Sequence, residues 1–124
     1  MLNFLTKLIR QAGDICKTEQ SRITTGDIEF KNSKDIVTAI DKKVEDFLVR
    51  AILEKYPDHN IFGEETGKTS KPSRYCWIID PIDGTTSYLH QQPFYAVSIA
   101  VEHQGDILAG AVYQPAMDEL FSAQ

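Results

Sequence analysis

The stretch that decides the fold is Trp77-Ile78-Ile79-Asp80-Pro81-Ile82-Asp83-Gly84-Thr85-Thr86. Its apolar beginning predicts a buried strand that places Asp80 at its end. The Asp-Pro and Asp-Gly pairs are turn signals, so the chain is expected to bend between and after the two acids. Gly84 and the threonines are typical of a helix start, whose free N–H groups suit an anion. The pattern predicts two carboxylates beside an anion-binding turn, which together could hold a divalent cation against a phosphate.

A second short apolar run ends in two adjacent acids, in the stretch Ile61-Phe62-Gly63-Glu64-Glu65. Carboxylates that lie close together repel one another, and a bound cation is one way to compensate their charge. Hard oxygen ligands from Asp and Glu favour Mg²⁺, Mn²⁺ or Ca²⁺ over softer metals. The cysteines, Cys16 and Cys76, stand alone and show no zinc-binding spacing with the histidines. Any metal site is therefore expected to consist of oxygen ligands.

These motifs, in their order and spacing, resemble the inositol monophosphatase family of Mg²⁺-dependent, lithium-sensitive phosphomonoesterases. The family motif usually continues Thr-Thr-Asn-Phe, whereas this chain has Thr86-Ser87-Tyr88. Serine can still bond to turn backbone, so only the side-chain bonding of the loop is expected to change. The resemblance runs from about Lys31 onward and is carried by Asp35–Asp41, Gly63–Glu65, Asp80–Thr86 and Pro93–Ala100.

The resemblance implies the metal ligands. Glu64 and Asp80 would hold a first, activating Mg²⁺, with help from the backbone carbonyl of Ile82. Asp80 would bridge to a second ion, which Asp83 would also hold. The family uses two or three ions, and one well-formed site is expected in this chain.

The resemblance also implies the phosphate contacts and the catalytic groups. The residues implied to bind the substrate are Glu64, Ile82, Asp83, Gly84 and Thr85, of which Gly84 and Thr85 would donate backbone N–H bonds to the phosphate. The Thr85 hydroxyl, backed by Asp41, would orient and deprotonate the attacking water. Thr85, Asp41 and Glu64 are thus the expected catalytic residues. The implied reaction is hydrolysis of a small phosphomonoester, with inositol monophosphate as the expected substrate.

The resemblance covers only the N-terminal part of the family fold. Family members are about twice this length, and their second half supplies a further metal-binding aspartate and most contacts to the substrate alcohol. Residues 1–124 are therefore expected to form a single domain, the metal- and phosphate-binding half, with the C-terminal half absent. On this expectation the second metal site is weakened, and the isolated chain could be inactive.

Hydrophobic periodicity predicts an α+β fold. An amphipathic helix is expected up to about Thr18, and a second helix is expected from Thr38 as cap, with Asp41 in its first turn, to Tyr56-Pro57. A short strand is predicted at 28–31, and strands with short connections after the motif predict an antiparallel sheet. Two helices packed on this sheet would resemble the N-terminal half of the family's layered α/β sandwich.

Composition excludes several classes of partner. The 124 residues carry a net charge of −5, which argues against a nucleic-acid surface. No apolar stretch is long enough to span a bilayer, the N-terminus is a poor signal peptide, and two separated cysteines fit the reducing cytoplasm. His59 and His103 fall in predicted loops and are expected to be solvated, whereas His90 is expected to bond to backbone at a helix end. A homodimer is a further expectation, because a half-fold would expose apolar surface.

Two other functions compete with the metal-dependent phosphatase. A haloacid-dehalogenase-type phosphatase carries its nucleophile in Asp-x-Asp-Gly-Thr, but two residues, Pro81 and Ile82, separate the acids here. Trapping a phosphoaspartate would support that reading. A truncated, non-catalytic module that binds metal or dimerises is the second alternative.

Overall fold

Two long helices cover one face of a sheet in the computed structural model, which describes residues 1–24 and 33–124. Helix α1 spans Leu2–Ser21, slightly beyond the predicted end, and buries an apolar stripe. Helix α2 spans Ser33–Lys55 and ends at the predicted position, just before Tyr56-Pro57. The strand predicted at 28–31 lies outside the described residues. Of the helices described, none combines the length and the apolar character that crossing a bilayer requires.

The predicted start of α2 is wrong. The helix already includes Ser33 to Thr38, so Asp41 lies in its third turn rather than its first. Thr38 does not cap the helix, because its hydroxyl donates a 2.8 Å hydrogen bond back to the carbonyl of Lys34. A threonine inside a helix can bond to the preceding turn in this way, so its presence alone did not identify a helix start.

Among the residues that the structure describes, six strands form one sheet in the order β2-β1-β3-β4-β5-β6. Strand β3 pairs parallel to β1, while every other neighbouring pair is antiparallel. The predicted α+β fold, in which two helices pack on an antiparallel sheet, is thus confirmed. The sequence pattern did not indicate the one parallel pair, between β1 and β3. The strand bounds are Asn60–Gly63, Gly67–Lys68, Tyr75–Asp83, Ala96–His103, Asp106–Gln114 and Glu119–Ala123, for β1 to β6.

The core lies between the helices and one face of the sheet. Alternate residues of β4, such as Val97, Ile99 and Val101, are buried in the core, where β4 packs against α1. The opposite face, here called the open face, leaves large apolar side chains exposed. They are Phe62, Ile78, Leu108, Val112 and Phe121.

The motif stretch sits where the register of β3 shifts. Asp80 pairs with Ser98 and Asp83 pairs with Ala96, so β3 contains one more residue than β4 between these pairs. Pro81 lies inside this bulge, where a residue without an N–H is tolerated. The bulge turns the chain toward a short helix, α3, which spans Thr85–Leu89 and starts where the sequence predicted a helix start.

Gly84 joins the bulge to α3 in a conformation that favours glycine. Its φ is 90° and its ψ is 45°. A Cβ at this position would lie 2.6 Å from the carbonyl oxygen of Phe94. The close approach of these two backbones therefore requires glycine at the start of α3.

Candidate active site

The turn after β1 carries Glu64, and hydrogen bonds to Glu45 hold this turn in place. The sequence analysis did not single out Glu45. Glu45 is fully buried on α2. Its Oε1 accepts the backbone N–H of Glu65 at 3.2 Å, and its Oε2 accepts the N–H and the hydroxyl of Thr66 at 2.6 and 2.7 Å. Its sequence signal was its position four residues after Asp41, which places both acids on one face of the helix.

Asp41 reaches the site from the same face of α2. The residue is only 5% exposed, and its Oδ1 has no hydrogen-bond partner among the described residues. Burial, together with the negative charges of Glu64 and Asp80, raises the pKa of Asp41 to about 7. A carboxyl group with this pKa can both accept and release a proton near neutral pH.

Asp80 lies at the bulge between the two acidic turns. Its partial removal from solvent raises its pKa, and the charges of Asp83 and Glu64 raise the pKa further. A hydrogen bond from the backbone N–H of Ile82 opposes this shift, because it stabilises the ionised carboxylate. The charge of Asp80 thus interacts with acids from both motifs.

Two cavities contain most of the predicted residues, but Asp80 and Ile82 line neither of them. Asp41, Glu64 and Thr85 line the first cavity, of about 260 Å³, with Glu65 and Thr86. Asp83 and Gly84 line the second, of about 280 Å³, which Phe94, Tyr95 and Phe121 also line. The structure therefore brings Asp41, Glu64 and Thr85 together, whereas Asp83 faces a separate cavity.

Helix α1 anchors α3 from below. The hydroxyl of Tyr88 donates to the carbonyl of Cys16 at 2.7 Å, and the side-chain amide of Gln20 donates to the carbonyl of Tyr88 at 2.9 Å. The side-chain amide of Gln91 in turn donates to the carbonyl of Gln20 at 2.9 Å. Sequence reasoning missed these anchors, because they join residues about 70 positions apart and no local pattern signals such pairs.

A hard divalent cation fits the donor set of this site. The carboxylates of Asp41, Glu64, Glu65 and Asp80 interact electrostatically, and a cation would relieve their mutual repulsion. The unpartnered Oδ1 of Asp41 is a further free acceptor. Within the part of the chain that is described, however, no three acidic, imidazole or thiol groups are close enough to form a complete metal site. The ligand roles of Glu64, Asp80, Ile82 and Asp83 therefore stay predictions.

The histidines differ in their surroundings. His90 ends α3, and its Nδ1 lies 2.9 Å from the carbonyl of Thr86, which agrees with the expected backbone bond. The prediction that His59 is solvated is wrong, because its ring stacks between Tyr56 and Tyr75 at 4.7 and 4.5 Å and accepts a bond from Trp77. His103 ends strand β4 rather than lying in a loop, and its ring is 4.5 Å from that of Tyr75.

Known proteins resemble the whole of this chain. A model of the inositol monophosphatase family matches residues 1–124. An inositol-1-monophosphatase from Mesorhizobium japonicum is 36% identical over 125 residues, which cover 100% of this chain and 47% of that protein. The Nus factor SuhB of Pasteurella multocida is 39% identical over 124 residues, which cover 99% of this chain and 46% of that protein.

A solved structure agrees with these sequence matches. The extragenic suppressor protein SuhB of Bartonella henselae superposes with a TM-score of 0.83 at 33% identity, covering 98% of this chain and 47% of that one. The chain thus spans about half the length of the curated relatives it matches.

Proposed function

The chain belongs to the inositol monophosphatase family, and from this premise we propose that it supplies the metal- and phosphate-binding half of a Mg²⁺-dependent phosphomonoesterase. The expected substrate is inositol monophosphate, because a relative that matches the full length of this chain is named an inositol-1-monophosphatase. Lithium inhibition is part of the same proposal.

One observation carries the proposal. Residues from three separate elements, Asp41 on α2, Glu64 after β1 and Thr85 at the start of α3, line a single cavity of about 260 Å³. Asp80, whose charge interacts with Glu64, lies at the bulge beside them. Two unrelated surface turns would not be expected to bring these groups around one cavity.

Hydrolysis of a phosphomonoester breaks the bond between phosphorus and the ester oxygen. Water adds to the phosphorus, the alcohol leaves with a proton, and inorganic phosphate remains. When bound, Mg²⁺ would supply positive charge that neutralises the phosphate and the transition state. Glu64, Asp80, Asp83 and the Ile82 carbonyl are the residues that would hold it.

The chain's own groups position the phosphate and move the proton. The first N–H groups of a helix have no partner within the helix, so those at Gly84 and Thr85 would donate to phosphate oxygens. Asp41 would accept a proton from the attacking water through the Thr85 hydroxyl. Its unpartnered Oδ1 and its pKa of about 7 suit that exchange at neutral pH.

The test is release of inorganic phosphate from myo-inositol 1-phosphate by the chain, with Mg²⁺, with EDTA, and with Mg²⁺ plus Li⁺. Turnover should require Mg²⁺ and fall with Li⁺. Asp41→Asn should lower kcat by about 100-fold or more, because a general base is lost. Asp46→Asn, an exposed acid on the same helix, is the matched control and should keep the wild-type rate. Turnover that persists in EDTA would contradict the proposal.

A non-catalytic binding role is the second candidate. One relative is named a Nus factor rather than a phosphatase. On the open face, the large apolar side chains of Val112 and Phe121 are 42% and 63% exposed, and an exposed apolar patch of this kind marks an interaction surface. In this role the chain would bind metal without turnover and would dimerise through the open face.

Light scattering across a concentration series tests the second candidate. The mean mass should rise with concentration toward that of a dimer, and Phe121→Ser should abolish the rise. Met117→Ser removes an exposed apolar side chain that is not part of the open face, so it should leave the mass unchanged. A wild-type chain that stays monomeric throughout would rule out dimerisation.

A further inference from the structure

Glu45 combines complete burial with contacts to the turn that carries Glu64. Its two oxygens accept hydrogen bonds from the N–H of Glu65 and from the N–H and hydroxyl of Thr66. All three donors belong to the two residues that directly follow Glu64. Glu45 itself is not among the residues that line the cavity with Asp41 and Thr85.

Gly63, the residue before Glu64, has no side chain, and the Glu45 carboxylate occupies the space beside its Cα. A Cβ on Gly63 would lie 2.9 Å from Cδ and Oε1 of Glu45, and 3.1 Å from Oε2. A side chain at Gly63 would therefore require the Glu45 carboxylate to shift, so Glu45 packs directly against the backbone on both sides of Glu64. The packing of Glu45, on α2, therefore explains why glycine precedes the paired glutamates.

No cation compensates Glu45 among the described residues, where the recorded ion pairs involve Asp118 and Glu19 instead. A buried carboxylate is unfavourable unless hydrogen bonds satisfy it, and here the turn provides them. An apolar residue of similar size would fill the same space without that cost. Unlike an apolar residue, Glu45 fixes the conformation of the turn, because its two oxygens accept three hydrogen bonds from it.

We propose that Glu45 is a positioning residue, which holds the turn at Gly63–Thr66 so that the Glu64 carboxylate is directed into the cavity shared with Asp41. This inference rests on the proposed function, because it assigns the geometry of the same metal site. Glu45 acts through Glu64 and touches neither the metal nor the phosphate.

Glu45 shares α2 with Asp41, the predicted proton acceptor. Asp41 and Glu45 are four residues apart, so they lie on one face of the same helix. A single rigid element thus presents the predicted proton acceptor directly and sets the position of the predicted metal ligand indirectly. The distance between these two groups is then fixed by helix geometry rather than by the loop.

Binding of Mn²⁺, measured by calorimetry and by electron paramagnetic resonance, tests the proposal. Glu45→Gln keeps the size of the side chain but replaces one acceptor oxygen with an NH₂ group, which repels a turn N–H. Mn²⁺ affinity should fall about 10–100-fold, as it does when a group that orients a metal ligand is lost. Glu54→Gln, on the exposed surface of the same helix, should bind as the wild type does.

The double variant separates positioning from a general loss of structure. If Glu45 acts through Glu64, Glu45→Gln combined with Glu64→Gln should bind Mn²⁺ no more weakly than Glu64→Gln alone. Additive losses would overturn the proposal, and so would wild-type affinity in Glu45→Gln. Far-UV circular dichroism should be unchanged in every variant.

Amide hydrogen exchange without metal distinguishes failure of this inference from failure of the proposed function. The N–H groups of Glu65 and Thr66 should be protected in the wild type and in Glu54→Gln, and should exchange faster in Glu45→Gln. If the wild type fails to bind Mn²⁺ but shows this protection, the metal-dependent function is wrong and the positioning of the turn is retained. Equal exchange in all three proteins would overturn the positioning role.

Discussion

The hydroxyl of Tyr88 donates a 2.7 Å hydrogen bond to the backbone carbonyl of Cys16, and both groups are buried. The bond joins the N-terminal helix to the short helix that follows the Asp80–Asp83 bulge. It therefore links the position of the predicted phosphate-binding turn to the packing of α1.

Tyr88→Phe should destabilise the chain and loosen α3. The substitution removes a buried hydrogen bond to the Cys16 carbonyl, which lowers the free energy of unfolding by about 0.5–1.5 kcal/mol. Urea unfolding measures this change. Tyr56→Phe is the matched control, because the Tyr56 hydroxyl has no hydrogen bond among the described residues, and it should shift the free energy by much less. Equal shifts in both variants would show that the bond to Cys16 is unimportant.

Gly63→Ala should damage the site although it adds only one methyl group. The new Cβ would meet the Glu45 carboxyl at 2.9 Å, and overpacking of this kind costs about 1–3 kcal/mol. Unfolding experiments should show that loss, together with faster amide exchange at Thr66. Gly110→Ala serves as the control, since its Cβ would meet its nearest neighbour at an ordinary 3.6 Å. A Gly63→Ala protein with wild-type stability and exchange would contradict the close packing of Glu45.

Asp41 should make the metal-free chain less stable as the pH rises. Its pKa is about 7 in the folded protein, above the ordinary 3.8, so the folded state retains a proton that the unfolded state releases. The free energy of unfolding should therefore fall between about pH 4 and pH 7 and show no further change from this group above pH 7.

Asp41→Asn should remove that part of the pH dependence. In EDTA, the variant should be more stable than the wild type above pH 7 by on the order of 1–3 kcal/mol, and the two should converge below pH 4. Urea unfolding across the pH range provides the measurement, with Asp46→Asn as the exposed control. A constant difference between Asp41→Asn and wild type at every pH would refute the raised pKa.

His59 should titrate below the ordinary histidine value of 6.5. Burial in the stack lowers its pKa, and the charge of Lys71 lowers it further, while Asp58 opposes the shift. Because Nδ1 accepts the Trp77 Nε1–H bond at 3.0 Å, protonation there would also cost that bond. The neutral form is therefore favoured on folding, and its contribution to stability is lost as the pH falls below 6.5.

Nuclear magnetic resonance of the imidazole nitrogens gives the His59 pKa directly. Asp58→Asn should lower the pKa further, and Lys71→Met should raise it, because the two charges act in opposite directions. Shifts in the same direction for both variants would exclude this electrostatic origin.

Much of the fold could be predicted from local patterns. The apolar stripe of α1, the proline after Tyr56 and the alternation along β4 and β5 each act over a few residues, and the corresponding elements are present. The start of α2 and the parallel pairing of β1 with β3 could not be read in this way. Both depend on contacts with distant segments, which outweigh weak local preferences.

The sequence by itself predicted which residues carry the chemistry, because acids, glycines and threonines in that order have few other uses. Only the tertiary structure decided which of them meet. It grouped Asp41, Glu64 and Thr85 around one cavity and turned Asp83 toward another. It also showed Glu45 beneath the turn and Tyr88 bonded to Cys16. These contacts join elements that are far apart in the chain, so their geometry is set by how helices pack on the sheet and not by any local spacing.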